Sequence, residues 1–267
     1  MITVTSAQLN IWIATLIWPL TRILGLIAVA PLFGNSAVPL QVKVGLSILI
    51  ALIVAPMVPA LSAQDPMSLT GLLILAQQLV IGLAMGFAMR MVFAAVEMAG
   101  ELTGLTMGLG FATFFRSAVP GQIVRHQPVS GAVDDPDFFL SVNGHLMLLS
   151  ALVESFTTLP ISAAPFGSGG LNQLVMRGSG IFSAGLQIAL PIIAALLITN
   201  LALGILTRAA PQLNLFGIGF PITLTVGFVL IGLALPYMTT PIERLLQEGI
   251  ELVRSMPGAS VAPPLRQ

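Results

Sequence analysis

Apolar residues in this chain come in long runs, broken by short polar or proline-containing stretches, and the runs predict helices of membrane-spanning length. The first runs from Leu9 to about Leu32 and contains Trp12, Trp18, Pro19 and Arg22. Arg22 is expected to snorkel or to face protein rather than lipid. The second, Val44 to Leu61, follows Lys43 and is closed by Pro56 and Pro59. The third, Leu69 to Val96, carries Gln77, Gln78 and Arg90, and its Gly82 and Gly86 form a small-xxx-small pair that lets another backbone come close. At about 28 residues it would extend roughly 42 Å as a straight helix, against a hydrocarbon core of about 30 Å. It is therefore expected to lie buried among subunits. Phe138 to Leu159 is apolar again, with Asn143-Gly144-His145 inside it, and residues 167–170 read as a flexible loop. Phe182 to Leu206, kinked at Pro191, and Phe216 to Leu235, entered through Gly217, Gly219 and Pro221, predict a helical hairpin. Thr240-Pro241-Ile242-Glu243 has the form of a capping box that opens a new helix. Ile242, Leu245, Leu246, Ile250 and Val253 make that helix amphipathic to about Arg254, and a proline-rich, disordered tail is expected from Met256 to Gln267.

Composition turns this pattern into a class. Only 7% of residues are charged and 56% are hydrophobic, where a soluble domain has about 25% charged residues. Mean hydropathy is +1.00. The fold class expected is all-α, a polytopic helical membrane protein. Zero net charge gives no electrostatic footprint for nucleic acid. No cysteine and two histidines argue against thiolate chemistry and a metal site. No nucleophile–base pair is evident, so neither catalysis nor a cofactor is expected. Gly217-Ile218-Gly219 is not a nucleotide loop, because no strand precedes it and Pro221 follows. Lys43, Arg177 and Arg208 fall in different connectors, which leaves orientation unspecified.

The stretch that organises the rest is Gly100 to Phe115. Gly100, Gly104 and Gly108 fall on one helix face without side chains, and then Gly110, Phe111, Phe114 and Phe115 break the pattern. A phenylalanine-tipped loop inside a membrane protein must be shielded by protein, since lipid cannot satisfy its free backbone groups. The plainer readings are glycine-mediated helix packing and, for Met107, ordinary core filling. Arg90, Glu97 and Glu101 read either as interfacial residues or as intersubunit pairs near a pore. Asn143 and His145 read as satisfied interhelical hydrogen-bonding residues, with a proton relay as the alternative.

Several strings resemble the FliR family of the flagellar type III export gate. They are Gly100-Glu101-Leu102-Thr103-Gly104-Leu105-Thr106-Met107-Gly108-Leu109-Gly110-Phe111-Ala112-Thr113-Phe114, Asn143-Gly144-His145-Leu146, Thr158-Leu159-Pro160, and Arg208-Ala209-Ala210-Pro211-Gln212-Leu213-Asn214-Leu215-Phe216-Gly217-Ile218-Gly219-Phe220-Pro221. The resemblance implies a FliP-like helical region over 1–180, a FliQ-like hairpin and amphipathic helix over 181–255, and a tail over 256–267. It implies a bacterial inner-membrane location in the flagellar basal body. It also implies FliP-like and FliQ-like gate subunits, FlhB-like and FlhA-like export components, and unfolded flagellar proteins as partners. The pore plug it implies falls at about 107–117, on Met107, Gly108, Gly110, Phe111, Phe114 and Phe115. Close helix packing is expected at Gly82, Gly86, Gly100 and Gly104. The rival readings are the equivalent subunit of a virulence injectisome and, from another class, a secondary transporter with a site at a broken helix.

The chain departs from the family between Arg116 and Phe138, where the family has an Asp-Pro loop and then an apolar helix. Residues 116–137 hold five of the twenty charges, one of the two histidines and three prolines, with no apolar period. Back-translated and read one base later, the products this stretch can encode include Asp-Pro-Gln-Ser, then Ile-Ser-Gln-Phe-Leu, a free position and Leu-Leu-Thr-Thr-Leu-Ile-Phe. Both missing features return in order and in register. About Arg116 to Phe138 is therefore expected to be an out-of-frame translation between two compensating frameshifts, with a lineage-specific insertion as the alternative. Resequencing codons 114–140 should reveal the two shifts, and clean reads in the present frame would overturn the explanation.

Overall fold

The structure is a computed structural model and describes residues 5–31, 33–34, 38–58, 66–110, 140, 143–162, 168–210, 217 and 219–255. The charged stretch with its expected frameshift and the proline-rich tail lie outside the described residues. Among the described residues seven α-helices are seen: α1 (Ser6–Val29), α2 (Leu40–Val54, extended by a 3-10 turn, Ala55–Met57), α3 (Leu69–Thr106), α4 (Gly144–Thr158), α5 (Ser168–Gly178), α6 (Gly180–Ala209) and α7 (Phe220–Ser255). No strand occurs among the described residues. Among the described residues four stretches are long and apolar enough to cross a membrane: Leu40–Met57, Leu69–Thr106, Leu174–Ala209 and Phe220–Arg254.

Several boundaries differ from the expected ones for local physical reasons. Helix α1 begins before Leu9 because Thr5 and Gln8 form a reciprocal capping box: Thr5 Oγ1 accepts from the Gln8 amide, and Gln8 Oε1 accepts from the Thr5 amide. It stops before Leu32 because Ala30 precedes Pro31 and is pushed to ψ 139°. Residues 168–178 are helix rather than flexible loop. Asn143-Gly144-His145 opens α4 instead of lying within a span: Asn143, at φ 55°, is the N-cap residue. His145 Nδ1 is buried with no hydrogen-bond partner, so the expectation that it is satisfied fails. No new helix starts at Thr240. Helix α7 runs continuously through Pro236 and Pro241, each of which removes one backbone donor and leaves the rest of the ladder in place. The amphipathic stripe is nevertheless present, with Ile242, Leu246, Ile250 and Val253 buried.

The chain divides into two compact units. The first comprises Met1–Met91, Asn143–Gly178 and Gln247–Gln267; the second comprises Val92–Val142 and Ser179–Leu246. Helix α3 is buried by its own chain: 67% of its most apolar window is covered, against 11–22% for the other three candidate spans. The burial expected from neighbouring subunits is thus supplied largely within this chain.

In the first unit, α1 crosses α3 with backbone against backbone. A methyl on Gly82 would run into the Arg22 carbonyl. One on Gly86 would lie 2.8 Å from Leu26 O, and one on Gly25 2.8 Å from Leu79 O. Beside this crossing Arg22 is fully buried. Its Nε donates to Gln78 Oε1 at 2.8 Å, one terminal nitrogen donates to Ser155 O at 2.8 Å and Ser155 Oγ at 3.0 Å, and the other donates to Leu159 O at 2.7 Å. The guanidinium also lies 4.3 Å from the centre of the Phe156 ring. Ser155 O and Leu159 O belong to the C-terminal end of α4, where free carbonyls concentrate negative potential. The helix end thus serves as the counter-charge. Trp18, one turn earlier on α1, packs with Ala14 and Ile74. At the far end of α4 a cleft of about 680 Å³ opens toward the end of α7. Nearby, Arg254 Nε pairs with Glu154 Oε2 at 2.7 Å. Both of those side chains are nearly half exposed, so this pair adds little stability.

Two predictions follow from the first unit. Arg22→Leu removes the donor that reaches Leu159 O, Ser155 Oγ and Gln78 Oε1 and should destabilise the protein by about 3 kcal/mol in thermal unfolding in detergent. Arg22→Lys should lose less, because it keeps the charge but not the planar fork. Gly82→Ala forces α1 and α3 apart, at a cost of about 1–3 kcal/mol. Gly45→Ala on α2, where a methyl meets nothing within 4 Å, should be neutral or stabilising by up to about 1 kcal/mol.

Candidate functional site

The end of α3 is where helix gives way to the glycine- and phenylalanine-rich stretch. The last turn tightens: Met107 N donates to Thr103 O at 3.0 Å, and Gly108 N donates to Leu105 O at 3.0 Å. Thr106 Oγ1 turns back onto Thr103 O at 2.8 Å. Gly108 then takes φ +88°, the left-handed conformation that commonly terminates helices and that glycine reaches without a Cβ penalty. Gly108 therefore does not continue the face of Gly100 and Gly104, as the spacing suggested. It ends the helix instead. Gly100 and Gly104 are buried, while Glu101 and Leu105 on the other side are exposed. Arg90 is exposed and Glu97 half-buried. Leu109 and Gly110 resume helical geometry, and a methyl on Gly110 would lie 3.2 Å from Leu105 Cδ2. Phe111, Phe114 and Phe115 lie outside the described residues.

The second unit receives this helix end between α6 and α7. Met107 is wholly buried, packed with Ile192 and Leu196 of α6 and flanked by Leu224, Leu230 and Ile231 of α7. Its side chain lies over Gly227: a methyl there would come within 2.6 Å of both Met107 Cγ and Cε. Phe220 covers Gly108, its ring carbons 3.2–3.3 Å from where a Cβ would stand. Thr223 Oγ1 donates to Phe220 O at 3.0 Å and reaches Met107 O at 3.4 Å. A second close approach joins α6 to α3, where a methyl on Gly185 would lie 2.7 Å from Ala95 O.

Nothing in the sequence pattern singles out Gly185, Thr223 or Gly227, which the structure places at these contacts. The available signal was weak: a glycine inside a helix costs about 1 kcal/mol relative to alanine and so suggests a packing reason. Yet Gly204 and Gly232 sit in the same two helices with nothing within 4 Å.

Among the described residues no three His, Cys, Asp or Glu side chains gather as metal ligands. Asp134, Asp135 and Asp137 lie outside those residues. The site offers apolar surface, two glycines that admit close contact, and a helix terminus. It is suited to holding a segment in place.

Residues 13–249 match the family described as bacterial export proteins, family 1. The chain is 44% identical over 256 residues to the flagellar biosynthetic protein FliR of Pectobacterium carotovorum subsp. carotovorum, covering 95% of this chain and 96% of that one. It is equally similar to the flagellar biosynthetic protein FliR of Escherichia coli (strain K12), at 44% identity with the same coverage. The likeness extends to the FliR of Aquifex aeolicus (strain VF5), at 29% identity over 92% of this chain and 93% of the relative. The chain belongs to the bacterial export proteins, family 1, and within it to the FliR family.

Proposed function

We propose that this chain is a subunit of the flagellar type III export gate, and that the segment following α3 plugs the gate's channel. The observation that carries the plug is the helix end itself. Gly108 turns the chain out of α3 just before Phe111, Phe114 and Phe115, while Met107 anchors the last turn in apolar protein. Aromatic rings at a constriction block water and ions by dewetting. The flagellar names carried by the relatives favour this reading over a virulence injectisome, and the export family favours it over a secondary transporter.

In this reading residues 1–180 are FliP-like and 181–255 form a FliQ-like hairpin with its amphipathic extension. FliP-like and FliQ-like subunits surround the chain, FlhB-like and FlhA-like components act with it, and unfolded flagellar proteins pass through. The assembly sits in the inner membrane at the flagellar basal body. The exposed apolar faces support a shielded setting. Leu197, Ile198, Leu201 and Ile205 on α6, and Phe228, Val229, Leu233 and Tyr237 on α7, are more than half exposed. Such surfaces belong against lipid or partner helices.

The test is a leak measurement on cells carrying the assembled gate. Removing a buried phenylalanine ring forfeits about 1.5–3 kcal/mol. Phe114→Ala should therefore weaken closure and raise ion leak by about tenfold or more, with export retained. Unchanged leak in a gate that assembles and exports would overturn the plug.

A further inference from the structure

We propose that Met107 is a positioning residue for the gate: its side chain is a knob seated in the notch that Gly227 leaves on α7, and it withdraws from that notch when the channel opens. This rests on the plug reading above. Three positions on one face of α7 meet the end of α3 in order, with Phe220 on Gly108, Thr223 on the Met107 carbonyl, and Gly227 under the Met107 side chain. They are spaced i, i+3 and i+7, so a single stripe of one helix reads the terminus of another.

The fit at Gly227 is steric. Met107 Cγ and Cε would lie 2.6 Å, and its sulfur 2.8 Å, from a methyl at that position. Alanine there would have to displace the knob. The polar hold is weak by comparison: Thr223 Oγ1 stands 3.4 Å from Met107 O and is better placed on Phe220 O at 3.0 Å. An unbranched thioether with several rotatable bonds can leave such a notch and return without remaking the core. Gly108 at φ +88° carries no Cβ, so the backbone beyond the knob can swing about it. The pair therefore combines a seat that holds the end of α3 with a pivot at which the chain turns. Movement of the first half of α7 would be felt at the end of α3 through this contact.

Two measurements test the latch on the assembled gate in cells. Gly227→Ala should raise ion leak by about tenfold, and adding Met107→Ala should bring the leak back to the level of Met107→Ala alone, because residues in contact are not additive. Gly232→Ala, on the same helix with nothing within 4 Å, should leave the leak unchanged. Amounts of assembled gate, read by co-purification of its subunits, identify any loss through misfolding. Independently, Met107→Cys with Gly227→Cys should form a disulfide under oxidation, without competition from native thiols, since this chain has no cysteine. Export should then stop and resume on reduction. A tight Gly227→Ala gate, a double variant whose leak is the product of the two single effects, a cysteine pair that fails to bridge, or a bridged gate that still exports would each overturn the latch. If Phe114→Ala leaks while Gly227→Ala does not, the plug stands and the latch fails. If neither leaks, the plug itself is wrong and the latch falls with it.

Discussion

A backbone placed in apolar surroundings has to satisfy its own polar groups, and it falls short wherever a helix ends. The last carbonyls of α4 are such a place. Arg22, from another helix, donates to Leu159 O and to Ser155 O, which also accepts from Leu159 N, so that Arg22 answers an electrostatic need of this helix end while α4 answers the need of a buried cation for negative potential. Neither group could be buried there alone. Gln78 and the Phe156 ring complete the enclosure from two further sides. Three helices, α1, α3 and α4, are joined by that one side chain, and the glycine crossing of α1 on α3 beside it fixes their separation. The starts of helices obey the same constraint more cheaply. Thr5 caps α1, and Ser68 Oγ accepts from Gly71 N at 3.0 Å ahead of α3.

Glycine has opposite meanings along this chain, and spacing alone does not separate them. Gly25, Gly82 and Gly86 are absent side chains that let two backbones touch. Gly227 is an absent side chain that accommodates someone else's. Gly108 is neither: its task is the sign of φ. Gly45, Gly178 and Gly232 face open space within the chain. A methyl group would distinguish these cases, because its effect depends on what lies opposite, and that is a property of the fold.

The helical class and the long apolar runs were legible in the sequence because they depend on composition and on run length, which are local. Gly82 and Gly86 stand out for the same reason: their four-residue spacing lies within one helix. Arg22 could be read as snorkelling or as facing protein, but its partners Ser155 and Leu159 lie 133 and 137 residues away. No periodicity links residues that far apart. The capping box read at Thr240 failed because a proline starts a helix and is tolerated inside one by the same geometry, and the continuing apolar stripe decides between them. Gly108 was assigned to a helix face by its spacing from Gly104. What ends the helix is the left-handed turn at Gly108, which its spacing from Gly104 does not reveal. The same holds for Thr223 and Gly227, whose importance comes wholly from what they meet.

The two places where α3 is held differ in kind. In the first unit the helix is held at a backbone crossing and beside a guanidinium with four hydrogen bonds to Gln78, Ser155 and Leu159. Shifting either by an ångström breaks directional contacts, so the energy rises steeply. In the second unit its end is held by a methionine on a glycine, with one long hydroxyl contact. Dispersion contacts of that sort are non-directional and flexible, and they give way gradually. A helix gripped hard along its length and softly at its tip transmits displacement to the tip and to whatever the tip carries. The hard grip is at Gly82 and Gly86, the yielding seat is Met107 on Gly227 of α7, and the left-handed turn at Gly108 lies beyond both.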